Sequence, residues 1–84
     1  STITVTSLHT DDALGGFDLV VNYDATDVSN PVAARTKTVA LMKALLALHP
    51  EWKERFHGLW AFAHAPNQQP FSLELSMPEI ASQS

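Results

Sequence analysis

Four histidines, His9, His49, His57 and His64, are the residues of this chain best suited to binding a metal or moving a proton. No two of them have the helical four-residue spacing of a zinc motif, and no Cys, Asp or Glu completes one at a matching offset. His49 and His57 flank a short helical segment and read as helix-end residues. His64 reads as a sheet-edge residue near a strand end, and His9 as a surface residue beside a loop. The oxygen-rich stretches Asp11-Asp12 and Asp24 to Asn30 lack the alternating ligands, central Gly and closing Glu of a calcium loop. Gly15-Gly16 lacks the Lys and Ser/Thr of a phosphate loop, and no nucleophile elbow surrounds any serine. The pattern therefore predicts a non-catalytic protein with no metal and no cofactor. An active site would have to be assembled from residues far apart in the chain.

The composition narrows the classes further. Eighty-four residues, 45% of them apolar, predict one globular domain over 1–84, with its core in 2–77. A chain this short buries only about 60–65% of its unfolded surface, so its stability margin is thin. There is no cysteine, which removes disulfides and thiolate chemistry. Net charge is −4, and the five cations, Arg35, Lys37, Lys43, Lys53 and Arg55, are interleaved with Glu51 and Glu54, against binding to nucleic acid. Ser1-Thr2-Ile3 shows no leader pattern. Val39 to Leu48 falls far short of the roughly 20 residues of a membrane span. The expectation is an acidic, soluble, cytoplasmic protein that binds neither nucleic acid nor membrane.

The elements follow from periodicity. Ile3 and Val5 alternate with threonines, predicting a strand over 2–8. Phe17, Leu19, Val21 and Tyr23 alternate with Asp18 and Asn22, predicting a second over 17–23. A shared apolar face requires Val5 opposite Val21, with a five-residue loop, Asp11 to Gly15. Asn30 caps and Pro31 starts a helix that runs to Leu48, where His49-Pro50 ends it. Pro50 to His57 reads as a second, short helix with Gly58 just past its end. Strands over 59–65 and 71–77 follow, joined by an even loop, Pro66 to Gln69. That parity puts Trp60, Phe62 and His64 on the face of Phe71, Leu73, Leu75 and Met77. Residues 78–84 read as a frayed tail. The sum is an α+β fold of order β-β-α-α-β-β, a four-stranded antiparallel sheet with one long and one short helix on one face.

The long helix carries more apolar surface than a small domain easily covers. Large residues, Leu41, Leu45 and Leu48 with Val39, Met42 and Leu46, span about half its circumference. They are expected to pack on Ile3, Val5, Leu19, Val21, Phe62 and Leu73. Left over is a stripe of Ala33, Ala40, Ala44 and Ala47, edged by Lys37. Alanine on a wet helix face is unremarkable as a helix former. A small-residue stripe also lets two helices approach closely, and in a symmetric dimer it would meet its own copy. Trp52 and Phe56, four apart, share a face of the short helix and either staple it to the core or anchor a partner. Two functions follow. The first is a homodimeric interaction module, an adaptor, inhibitor or assembly factor, whose partner is another protein. The second is a small-ligand binder or enzyme with a pocket between the sheet and the short helix, lined by Trp52, Trp60, Phe62 and His64.

Overall fold

A computed structural model describes residues 5–13 and 16–83, with side chains from Asp18 to Gln83. The elements, in order, are β1 (Val5–Ala13), β2 (Gly16–Asp24), α1 (Pro31–Leu48), α2 (Trp52–Arg55), β3 (Gly58–His64), β4 (Phe71–Ser76) and α3 (Met77–Ser82). β2, β3 and β4 form a mixed sheet. β3 runs parallel to β2 and antiparallel to β4, and β1 pairs antiparallel along the outer side of β2.

An all-antiparallel sheet with two helices is therefore corrected, and α1 supplies the reason. Its 18 residues span about 27 Å, close to the ~30 Å length of nine-residue β2. The helix carries the chain back to the end of the sheet where β2 began, so the next strand must run in the same direction. The start and end of α1 match the sequence. Asn30 Oδ1 accepts from the N–H groups of Val32 and Ala33 at 3.1 and 3.2 Å, and His49 donates its N–H to Leu45 O at 2.8 Å.

Two registers differ from expectation. Leu8, not Val5, lies opposite Val21, and Asp11 to Ala13 belong to β1. Ile3 and the connection at 14–15 lie outside the described residues, as do the side chains of Val5, His9 and Asp11-Asp12. In the second hairpin Trp60 pairs with Glu74 and Phe62 with Ser72, so its loop has the odd parity. Ala65 O accepts from Gln68 N–H at 3.3 Å, with Pro66 and Asn67 between them and Asn67 at φ 58°. Proline followed by a left-handed asparagine is the type II turn pattern. The inner face of β3 is thus Leu59, Ala61 and Ala63, all buried, while Trp60 and Phe62 stand on the outer face. Small residues under a helix let the two layers approach closely, which outweighed the expected gathering of aromatics in the core.

The core joins Leu19, Val21, Tyr23, Leu59, Ala61, Ala63 and Leu75 of the sheet to Val39, Leu41, Met42 and Leu46 of α1. Ile80, 1% exposed, adds α3 to it. The expected frayed tail is a helix instead. Ser76 and Glu79 form a capping box, with Ser76 N–H donating to Glu79 Oε1 at 2.8 Å. That bond holds the Glu79 carboxyl below its ordinary value. Beyond it Gln83 Oε1 accepts from Arg35 Nη1 at 3.1 Å, and the Gln83 carbonyl accepts from Lys43. Helix α2 is shorter than expected, and Gly58 opens β3. A Cβ on Gly58 would lie 2.2 Å from the Leu75 carbonyl oxygen, so this position needs glycine because β4 approaches so closely.

Buried Tyr23 and Thr38 tie α1 to the sheet through a 2.6 Å bond between their hydroxyls. Thr38 Oγ1 lies 2.7 Å from the Ala34 carbonyl, to which its one proton must go, so Tyr23 is the donor. Thr38→Val keeps the shape but strands the buried tyrosine hydroxyl, and should cost about 1–3 kcal/mol in urea unfolding. Tyr23→Phe should cost about 1 kcal/mol, and the double variant less than the sum. Additive costs would show that the two hydroxyls do not interact.

Candidate functional site

The inner arc of α1, Ala34, Thr38, Val39, Leu41, Met42 and Leu46, is buried by the protein's own sheet and α3. The expected stripe lies on the opposite side. Ala33, Lys37, Ala40, Ala44 and Ala47 are all exposed, within an arc of about 80° at 3.6 residues per turn. Leu48 borders it and is 75% exposed, and Val32 near the helix start is equally bare. These residues stay together because alanine sustains a helix without needing cover.

The stripe runs into a cleft at its C-terminal end. Lys43, Leu46 and Ala47 of α1, Lys53 of α2, and Met77, Pro78, Ile80 and Ala81 of α3 enclose about 610 Å³. Ala47 belongs to both surfaces. Sequence reasoning missed the wall supplied by α3, although its signal was present as Ser76-x-x-Glu79, a capping-box spacing. The cleft is apolar at its base and carries two lysines.

Trp52 and Phe56 meet edge to face at 6.4 Å, and both are half-buried and packed against the core. His49, the C-cap of α1, stacks on Trp52 at 4.2 Å with its ring nearly parallel. Its Nδ1 lies 3.4 Å from Glu51. The pair therefore holds the α1–α2 junction to the core while leaving part of each ring at the surface.

Trp60, Phe62 and His64 come together, but not where a pocket beside the short helix requires them. They are alternate residues of β3 on the sheet face turned away from the core, opposite in register to Val20, Asn22 and Asp24 of β2. Trp60 and Phe62 pack with ring centroids 5.1 Å apart, and His64 Nε2 is 2.8 Å from Asn22 Oδ1. Trp52 lies on the other side of the sheet with the core. The expected pocket between sheet and short helix is thus corrected by the register of β3. At the same end, Ala25 N–H donates to the His64 carbonyl at 2.7 Å, and Val28 N–H to Gln68 Oε1 at 2.8 Å. Asp27 Oδ1 accepts from Ser29 N–H at 2.9 Å, a bond that keeps its carboxyl below the ordinary range.

Among the described residues no helix is long and apolar enough to cross a membrane. Comparison with protein-family models, curated proteins and solved structures finds no match to this chain.

Proposed function

We propose that the protein is a non-catalytic interaction module that self-associates through the outer side of α1. One observation carries the reading: with its inner arc fully used by the sheet, α1 still leaves the Ala33–Ala40–Ala44–Ala47 arc bare and continuous with the cleft at Ala47. Small side chains allow two helix axes to approach to about 8 Å. An antiparallel contact centred between Ala40 and Ala44 would set each of these against the other. It would also place Lys37 opposite Ala47, with no cation facing a cation. Such an isologous contact uses one surface twice. The area is small for a stable dimer, so the half-exposed edges of Trp52 and Phe56 and the cleft rim remain for a second protein, as an adaptor, inhibitor or assembly factor uses them.

Light scattering after size exclusion should give twice the 9.2 kDa chain mass at about 100 µM, a range suited to a weak interface. Ala44→Glu should return the single-chain mass with an unchanged circular dichroism spectrum, because Ala44 is exposed. A wild-type chain that elutes as a monomer at that concentration would sink the reading.

The cleft supports a second reading, a binder of small amphiphiles with an apolar body and an anionic head placed between Lys43 and Lys53. A medium-chain carboxylate should then shift the amide signals of Met77, Ile80 and Ala81 saturably, and less so in Lys43→Met. Absence of saturation would remove this reading without touching the first.

A further inference from the structure

Asp18 stands on the outer face of β2 yet is only 1% exposed. Among the described residues its Oδ1 has no hydrogen-bond partner. A buried carboxylate oxygen left without a donor is costly, so this position calls for a hydrogen-bond donor to face it. The side chain lines a cavity of about 60 Å³, together with His57, Glu74, Leu75, Ser76 and Glu79. The register explains the space: Gly58 lies between Asp18 on β2 and Ser76 on β4 and offers no side chain to fill the row. Three carboxylates thus border one small opening, with no Lys or Arg among the residues lining it. Glu79 is held in its ionised form by the Ser76 N–H.

We propose that this cavity binds a primary ammonium group, with Asp18 as its counter-ion. An ammonium carries three donors on a compact head, suited to a small cavity lined by carboxylates and Ser76. Charge-assisted bonds of this kind are about twice as strong as neutral ones. A hard metal ion needs several ligands converging within about 2.0–2.6 Å. Among the described residues no group of three His, Cys, Asp or Glu is so placed. A quaternary ammonium has no N–H to give. The ammonium has two sources: a free small amine, or the tip of a lysine side chain from another protein.

The test is an amide-shift titration of the full chain at pH 7 with methylammonium chloride, with tetramethylammonium chloride as the matched salt. Saturable shifts at Asp18, His57, Ser76 and Glu79 are expected with methylammonium alone. Asp18→Asn should weaken them about tenfold or more, the fold-change that loss of a charged hydrogen bond brings. Equal, unsaturated shifts with both salts, undiminished binding in Asp18→Asn, or saturation by magnesium or calcium in place of methylammonium would overturn the proposal. Should the variant fail to fold, the carboxyl carbon signal of Asp18 in the wild type decides. It must shift saturably with methylammonium and not with tetramethylammonium, and a signal that neither salt moves overturns the assignment. Acetyl-lysine amide with a free side-chain amine separates the sources. Binding as tight as methylammonium assigns the site to a lysine side chain, and exclusion assigns it to a free amine, both under the same ammonium chemistry.

Discussion

The close seating of α1 on the inner sheet face is the constraint from which the other features follow. Tyr23 donates to Thr38 across that contact at 2.6 Å, and Thr38 passes its own proton to the Ala34 carbonyl of the preceding turn. The bond fixes which side of α1 faces inward, and Ala61 and Ala63 leave the room for it to lie there. With the inner positions of β3 given to small residues, period-two alternation sends Trp60 and Phe62 outward. With Thr38 and Met42 facing the sheet, the 3.6-residue period leaves the alanine arc facing away. Both unusual surfaces of the molecule are consequences of one packing decision.

Much of the local structure was legible in the sequence because it rests on local chemistry. Asn30-Pro31 and His49-Pro50 bounded the long helix correctly, as capping and proline restrictions act within a few residues. The alternation of Phe17 to Tyr23 fixed β2 and placed Asp18 and Asn22 on its outer face. The misreadings concern relations between elements. Parallel pairing of β2 with β3 depends on where α1 lands, which no residue type announces. The parity of the second hairpin was set by Pro66 and Asn67, with Asn67 in the left-handed region, and a preference for gathering large residues pointed the other way. Helix α3 was overlooked although Ser76 and Glu79 carried its capping box and Ile80 its core anchor.

The same division applies to the surfaces. The alanine stripe was readable from helical spacing alone, and the structure leaves all four of its alanines exposed. The cleft beside it needed α3, a non-local neighbour, for one wall. Asp18 looked like an ordinary outward-facing strand residue. Its neighbours around the cavity are far away in the chain, so an Oδ1 without a partner among the described residues could emerge only in three dimensions. The three histidines whose side chains are described are scattered: His49 stacks on Trp52, His64 meets Asn22, and His57 lies at the mouth of the acidic cavity.

Because the chain has no cysteine, one introduced thiol can carry a spin label without background, and this gives the most direct test of α1 as a contact surface. Val32 is exposed and lies outside the alanine arc, about 15 Å along the axis from the midpoint between Ala40 and Ala44. A nitroxide on Val32→Cys should therefore show a pulsed dipolar distance centred near 30 Å at about 100 µM, the separation an antiparallel α1 pair imposes. A dipolar trace without intermolecular modulation, or a distance well beyond that separation, would contradict the account.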